Sequence, residues 1–238
     1  MKEKLDGKIK AILFDLDNTL LDIDLDIFIP EYLKLLAQSV AHLIPPNKFI
    51  SKILKVSKAI EENNGGKKNS DVYTDTFFPL EGYKMKDLKP FFDKFYENDF
   101  SKLKQYARKK PEARAVVQKA FDKGYDVIIA TTPLLPATAI EQRLEWADVA
   151  DFPYRLITTI ENSHATKSIT HLIYYDQILD KIGYPADACL MVGDEDKDLV
   201  AKRCGMKTFL IEHKNKKFGP EIPEPTYKGS LSDLKSLL

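Results

Sequence analysis

The spacing of hydrophobic positions divides the chain into an early strand, a long helical stretch and a region where strands and helices alternate. The early strand is the apolar run within Lys10–Leu20, which ends in Asp15 and Asp17. A short apolar run stopped by a turn signal is typical of a buried parallel strand. Because alternate residues of a strand point to the same side, we expect the two carboxylates to lie together at its carboxyl end.

From about residue 24 to 108, apolar side chains recur at helical spacing and there is little strand signal. The pattern predicts helices at Asp26–Ile44, at Lys48–Asn63 and, as one or two helices, at Asp87–Lys110. A structureless loop of this length would be unusual inside a compact domain. We therefore predict that residues 21–109 form an inserted, all-helical subdomain that lies over the two acids.

From Pro111 onward, helical and strand-like patterns alternate. Strands are predicted at Asp126–Thr132, Tyr154–Thr159, Ala188–Asp194 and Met206–Ile211, and helices at Pro111–Gly124, Ala137–Ala147, Lys167–Ile182, Asp196–Cys204 and Leu231–Leu238. Such alternation predicts right-handed βαβ units and a parallel sheet. The predicted fold class is therefore α/β: residues 1–20 and 110–238 form a Rossmann-like parallel sheet core with helices on both faces.

Composition narrows the possible partners and compartment. Of the 238 residues, 44% are hydrophobic, which is enough for a core, and the formal net charge is zero. A neutral chain gives no reason to expect nucleic acid or an anionic membrane as a partner. No apolar stretch is long enough to span a bilayer, and the acids at Asp15 and Asp17 interrupt the first one, so no signal peptide is expected. Cys189 and Cys204 are predicted to be free thiols. We expect a cytoplasmic monomer or small homo-oligomer.

Polar residues follow, or lie beyond, the carboxyl ends of four predicted strands. They are Asp15 and Asp17, then Thr131 with Thr132, then Lys167, and finally Asp194 with Glu195, Asp196 and Asp198. In open α/β sheets, ligands bind beyond the carboxyl ends of the strands. We therefore expect these side chains to meet at one site. Grouped carboxylates suit Mg²⁺, which prefers hard oxygen ligands.

These residue types are also the ones that phosphoryl transfer requires. A metal ion and a lysine offset the negative charge of a phosphate ester, and a hydroxyl can hold a non-bridging oxygen. A carboxylate can attack phosphorus and form an aspartyl phosphate. A second acid can protonate the leaving oxygen and later accept a proton from water.

The motifs resemble those of the haloacid dehalogenase (HAD) superfamily of hydrolases and phosphatases, in the subfamily I type whose helical cap follows the first motif. The family's DxDxT motif matches Asp15–Thr19, its hydroxyl motif matches the strand ending at Thr131, its lysine motif matches Lys167, and its GDxxxD motif matches Gly193–Asp198. The resemblance covers the whole predicted core outside the helical insert.

The resemblance implies a role for each of these positions. Asp15 would be the nucleophile, and Asp17 the general acid and base. Thr131, Thr132 and Lys167 would bind the phosphoryl group. The metal ligands would be Asp15, the backbone carbonyl of Asp17, Asp194 and Asp198, where Asp198 either reaches the metal through water or holds Lys167. Glu195 and Asp196 stay open as alternatives to Asp198.

The implied function is Mg²⁺-dependent hydrolysis of a small phosphorylated metabolite through an aspartyl phosphate. A phosphomutase of the same family, acting on a sugar phosphate, is the main alternative. A haloacid dehalogenase is less favoured because such enzymes need neither a metal nor a second acid at the position of Asp17. A receiver domain combines similar residues but carries its phosphorylated aspartate after a middle strand. It is disfavoured because Asp15 follows the first strand. A catalytically inactive binding relative is the remaining alternative.

Overall fold

The computed structural model describes residues 5–213 and 216–238, and its centre is a parallel β-sheet. The strands of this part of the chain are β1 (Ala11–Phe14), β2 (Leu21–Ile23), β3 (Ala107–Lys109), β4 (Asp126–Ile129), β5 (Leu156–Ile157), β6 (Cys189–Gly193), β7 (Lys207–Ile211) and β8 (Tyr227–Gly229). Six of them form one sheet in the order β5–β4–β1–β6–β7–β8, and every neighbouring pair in it is parallel. This confirms the predicted α/β class with a parallel, Rossmann-like sheet.

The helices surround the sheet and fill the segment between β2 and β3. They are α1 (Leu25–Ser39), α2 (Pro46–Glu61), α3 (Asn69–Phe77), α4 (Met85–Lys94), α5 (Ala113–Asp122), α6 (Ala137–Trp146), α7 (Ile173–Ile182), α8 (Asp196–Leu199) and α9 (Leu231–Leu237). A π-helical turn (Phe95–Asp99) and a 3₁₀ helix (Phe100–Tyr106) follow α4, and further 3₁₀ turns cover Ala186–Ala188 and Val200–Cys204.

The alternation of side chains along β1 separates two hydrophobic layers. All four residues of β1 are buried. Ile12 and Phe14 pack in the layer that contains α5, α6 and α9, whereas Ala11 and Leu13 pack in the layer that contains α7 and α8. A strand buried on both faces needs a continuous apolar run, which is what β1 has. The helices therefore lie on both faces of the sheet, and the carboxyl end of β1 lies between those of β4 and β6.

The segment between the first strand and the rest of the sheet is mainly helical, but both of its ends are strands. Within residues 21–109, β2 and β3 pair in antiparallel fashion, with Leu21 opposite Lys109 and Ile23 opposite Ala107. The all-helical prediction did not include them, because three residues are too few to establish an alternating pattern. It also did not include a helix at the position of α3.

Two further elements differ from the sequence prediction. The helix expected at Lys167–Ile182 begins only at Ile173, and Lys167 lies in the preceding loop. The hydroxyl of Ser168 accepts a hydrogen bond from the backbone N–H of Thr170 at 3.1 Å, and such local bonds compete with helix formation. The second difference is the edge strand β8, because no strand was predicted after Ile211.

The structure bears on the two cysteines and on the absence of a predicted membrane span. Cys189 and Cys204 are free thiols, as predicted, and burial raises the pKa of Cys189 to about 12. Across residues 5–213 and 216–238, no helix is both long enough and apolar enough to cross a bilayer.

Candidate active site

Asp15 occupies a buried position directly after β1. Its backbone N–H donates to the carbonyl oxygen of Val192 in β6 at 2.9 Å, and the residue is 6% exposed. The chain then turns at Asn18, whose φ of 57° lies in the left-handed region that asparagine tolerates. The side-chain oxygen of Asn18 accepts from the N–H of Ile23 at 3.1 Å. These bonds fix the loop that carries the first two acids.

Lys167 joins the first and last of the predicted motifs. Its Nζ lies 2.6 Å from Asp15 Oδ1 and 2.6 Å from Asp198 Oδ1. The lysine comes from the loop between β5 and α7, and all three residues are buried. The structure thus brings together three side chains that the sequence motifs selected from distant positions.

The second oxygen of Asp198 is held by backbone groups. Oδ2 accepts from the N–H of Asp194 at 3.1 Å and from the N–H of Glu195 at 3.0 Å. This geometry requires glycine at position 193, because a Cβ on Gly193 would lie 2.1 Å from Asp198 Oδ2. Asp198 therefore holds Lys167 with one oxygen and the loop after β6 with the other.

Asp194 lies in the same cluster and has polar neighbours that its motif did not reveal. Its Oδ1 accepts from the Thr19 hydroxyl at 3.4 Å, and its Oδ2 lies 2.8 Å from Lys216 Nζ. His213 Nε2 is 3.6 Å from the same oxygen and 3.0 Å from the carbonyl oxygen of Asn18. Neither Lys216 nor His213 belongs to a recognised motif, since both lie in the segment between β7 and β8.

Burial dominates the electrostatics of the cluster. Burial raises the pKa of Asp15 well above its usual value, and the charge of Lys167 only partly opposes this shift. Burial also raises the pKa of Asp198, again against Lys167. For Lys167 itself, burial would lower the pKa, but the charges of Asp15 and Asp198 outweigh that effect and raise it. One buried lysine therefore leaves this group of carboxyls short of positive charge.

The donor set fits a hard divalent cation. Asp15, Asp194 and Asp198 each offer a carboxylate oxygen, and these atoms lie within 4.8 Å of one another. Buried carboxylates need compensating charge, and Mg²⁺ binds such oxygen donors. Three carboxylates in the cluster are contacted by two lysines, Lys167 and Lys216, and this excess of acid is the observation that supports the fit. The carboxylate of Asp17 is outside this group, and the resemblance gives its backbone carbonyl, not its side chain, as a ligand.

Asp17 instead pairs with Arg143, which the sequence analysis did not select. Arg143 NH1 donates to Asp17 Oδ2, and the arginine side chain is only 4% exposed. Arg143 lies on the buried face of α6, beside Ile140 and Leu144. A charged residue at an apolar helical position is the signal that could have identified it, because arginine is rarely buried without a partner.

The predicted hydroxyl residues lie at the same site. Thr131 and Thr132 follow β4, and both line a cavity that also contains Asp15 and Asp17. Thr131 is 2% exposed, and its backbone oxygen accepts from the hydroxyls of Thr158 and Tyr174 at 2.7 and 3.0 Å. These bonds fix the backbone on which the threonine stands.

Two asparagines attach the helical insert to the loops of the site. Asn69 is fully buried at the start of α3, and its Nδ2 donates to the carbonyl oxygens of Pro133 and Ala165 at 3.4 and 3.2 Å. Asn63 Nδ2 donates to Asn69 Oδ1 at 2.9 Å. Pro133 and Ala165 lie two residues from Thr131 and Lys167, so the insert contacts the loops that carry both residues directly. By contrast, Lys67, which lies just before α3, forms an exposed pair with Asp75.

Comparison with known proteins identifies the family. A model of the haloacid dehalogenase-like hydrolases matches residues 9–204 of the chain. The chain belongs to this family. It is thus a HAD-family hydrolase, as the resemblance of its motifs implied. No curated protein sequence matches the chain.

Solved structures of HAD proteins share the fold along nearly the whole chain. A HAD phosphatase from Thermococcus onnurineus has a TM-score of 0.59 and 18% identity, covering 96% of this chain and 97% of its own. YfnB from Bacillus subtilis, bound to magnesium, has a TM-score of 0.56 and 21% identity, covering 96% and 98%. A dehalogenase with an intermediate complex has a TM-score of 0.61 and 17% identity, covering 98% and 99%. At these identities the likeness shows the fold alone.

Proposed function

We propose that this HAD hydrolase is a Mg²⁺-dependent phosphomonoesterase that works through an aspartyl phosphate. The observation that carries the proposal is the pair of 2.6 Å contacts from Lys167 to Asp15 and Asp198, within a buried cluster of acids. A carboxylate beside a lysine and a cation site is suited to attack phosphorus, because both cations offset the charge of the phosphoryl oxygens.

In the proposed first step, an oxygen of Asp15 attacks phosphorus and the bond from phosphorus to the leaving oxygen breaks. Asp17 gives its proton to that oxygen, so the alcohol leaves neutral. In the second step, Asp17 takes a proton from water, and the water oxygen attacks phosphorus. The bond between phosphorus and Asp15 then breaks, which releases phosphate and restores the carboxylate.

The other residues bind and position the reacting groups. Lys167 and Thr131 hold phosphoryl oxygens, with Thr132 beside them, and Arg143 orients the carboxylate of Asp17. Asp15, Asp194, Asp198 and the backbone carbonyl of Asp17 would hold Mg²⁺, which supplies charge stabilisation for the phosphoryl group. We favour Asp198 over Glu195 and Asp196 as the support for this site, because Asp198 contacts Lys167 directly.

Residues 21–109 are proposed to act as a cap that excludes bulk water and selects the substrate. The hydrogen bonds from Asn69 to the loops beside Thr131 and Lys167 support this role, because movement of the insert would displace those loops. On this proposal the cap is bounded by the β2–β3 ribbon, and residues 1–20 and 110–238 form the catalytic core. The partner is a small phosphorylated metabolite.

The test is phosphate release from an aryl phosphate with and without Mg²⁺. We expect turnover with the metal, no turnover after its removal with a chelator, and no turnover in Asp15→Asn. Asp180→Asn is the matched control, because it makes the same chemical change at an exposed position of α7. Metal-dependent activity that survives Asp15→Asn would contradict the proposed nucleophile.

A dehalogenase is the second candidate, because dehalogenases are among the proteins that share the fold. The two functions differ in their products. Halide release from a 2-haloacid without metal, with no phosphate release from any ester, would favour the dehalogenase. A phosphomutase would instead yield an isomerised sugar phosphate in place of free phosphate.

A further inference from the structure

A large cavity extends from the acid cluster into the helical insert. Its volume is about 950 Å³, which is at the upper end of the range of about 300–1,000 Å³ for small-molecule sites. Asp15, Asp17 and Thr131 line one part of it, side chains of α1, α2, α3 and α4 line much of the rest, and residues of the loop after β4 and of α6 also form part of the wall. The cavity is much larger than a phosphoryl group, so most of it faces the remainder of the substrate.

The part of the cavity formed by the insert is mainly apolar. Its wall includes Phe28 and Leu36 of α1, Ile53 and Ile60 of α2, and Phe92 of α4. Two further wall residues, Ile29 and Leu54, are 42% and 55% exposed, although large hydrophobic side chains in the described ranges are mostly covered. Exposed apolar side chains that border a concave surface indicate a binding site for an apolar group.

The cavity offers little to a second charged group. The cations among its described lining residues are Lys89 and Arg143, and each already pairs with an acid. Lys89 Nζ lies 2.5 Å from Asp93 Oδ2, and Arg143 binds the carboxylate of Asp17. Glutamates at positions 97, 161 and 195 also line the wall. A second phosphate or a carboxylate on the substrate would therefore meet acids without a free cation.

Two of the three tyrosines of the wall, Tyr32 and Tyr96, pair with each other. The hydroxyls of Tyr32 and Tyr96 are 2.8 Å apart, so one donates to the other. Burial raises the pKa of Tyr32 to about 12, which keeps its hydroxyl neutral. The pair therefore adds no charge to the wall, and each hydroxyl already has one hydrogen-bond partner.

We propose that the substrate is the phosphate monoester of an elongated, uncharged and largely apolar alcohol. This inference rests on the phosphatase function proposed above and specifies its substrate class. The phosphoryl group binds at Asp15 and Lys167, and the alcohol chain lies along α1 and α2. Hydrolysis breaks the bond between phosphorus and the alcohol oxygen, the alcohol leaves with the proton from Asp17, and water supplies the new oxygen of phosphate.

The test is phosphate release from linear alkyl monophosphates of increasing chain length, kept below their micelle concentrations. Each added methylene that enters the cavity should raise kcat/KM about fourfold, which corresponds to about 0.8 kcal/mol. Glycerol phosphate and phosphoglycolate serve as short polar esters, and an aryl phosphate reports the basic phosphatase activity. We expect the long alkyl esters to exceed both polar esters.

The outcomes separate this inference from the phosphatase proposal. Metal-dependent hydrolysis of the aryl phosphate with kcat/KM independent of chain length would overturn the apolar substrate and leave the phosphatase standing. Preference for glycerol phosphate or phosphoglycolate would do the same. Absence of phosphate release from every ester would overturn the phosphatase and, with it, the substrate class.

Two isoleucines on one helix provide a matched pair of variants. Ile29 lines the cavity, whereas Ile27, two residues earlier on α1, does not and is similarly exposed at 48%. Ile29→Gln should lower kcat/KM for the longest ester roughly fivefold, because part of the chain then meets an amide. Ile27→Gln should leave it unchanged. Equal effects of the two substitutions would contradict the proposed path of the alkyl chain.

Discussion

Replacing Lys167 with methionine is predicted to destabilise the protein strongly, because two buried carboxylates would lose their shared cation. Lys167 Nζ lies 2.6 Å from an oxygen of Asp15 and 2.6 Å from an oxygen of Asp198, and no side chain of the three is more than 9% exposed. Removing one partner of a buried ion pair costs about 3–5 kcal/mol. That is a large part of the roughly 5–15 kcal/mol by which folded proteins are stable.

The loss of stability should depend on pH. Burial raises the pKa of Asp15 well above its usual value, and Lys167 opposes that shift. Without the lysine, the carboxyl binds a proton more readily in the folded state than in the unfolded state. A carboxyl whose folded pKa is raised weakens folding as the pH rises through that pKa. The difference between wild type and Lys167→Met should therefore shrink as the pH is lowered from neutral.

The assay is urea unfolding without metal, followed by circular dichroism at several pH values. The control is Lys67→Met, because Lys67 pairs with Asp75 on the surface, where both side chains are at least 60% exposed. Surface pairs of this kind contribute little, so the control should unfold with the wild type. Equal stability of the two variants, or a loss in Lys167→Met that grows at low pH, would refute the reasoning.

Three substitutions test other contacts of the site. Gly193→Ala places a Cβ 2.1 Å from Asp198 Oδ2, so steady-state kinetics should show kcat reduced by up to about 10²-fold, whereas Gly7→Ala, with open space around it, should keep full activity. Asn69→Ala leaves two loop carbonyls without their donor and should lower the unfolding free energy by about 1–3 kcal/mol in urea titrations. Arg143→Met should lower kcat more than it changes KM, because Asp17, the proposed general acid, loses the arginine that orients it. An unchanged kcat in Gly193→Ala or Arg143→Met, or an unchanged unfolding free energy in Asn69→Ala, would count against the contact in question.

Five of the six strands of the sheet could be predicted, and the clearest of them are continuous apolar runs. β1 and β6 are buried along their entire length, and this demands the hydrophobic sequences that they have. The short ribbon of β2 and β3 could not be predicted in this way. Its pairing joins Leu21 to Lys109, and nothing local to either residue indicates the other. The start of α7 was misplaced because side-chain hydrogen bonds near Ser168 compete with the helix.

Some charged residues of the site belong to sequence motifs and could be predicted, whereas others belong to no motif. Asp15, Lys167 and Asp198 belong to recognisable motifs that follow predicted strands. Their proximity could therefore be predicted, because the carboxyl ends of parallel strands lie at one edge of the sheet. Arg143 and Lys216 belong to no such motif. Their partners, Asp17 and Asp194, are reached only through the tertiary fold. The apolar helical position of Arg143 could have marked it as buried, but its pairing with Asp17, like that of Lys216 with Asp194, follows only from the tertiary fold.

The most direct test of the account is detection of a phosphoryl group on Asp15. The protein would be mixed with an aryl phosphate and Mg²⁺, quenched in acid within one turnover, and digested for peptide mass spectrometry. The account predicts a phosphorylated peptide with the modification at Asp15, its loss when the metal is chelated, and none in Asp15→Asn. Metal-dependent turnover with the phosphoryl group on another residue, or with no covalent intermediate at any quench time, would contradict the account.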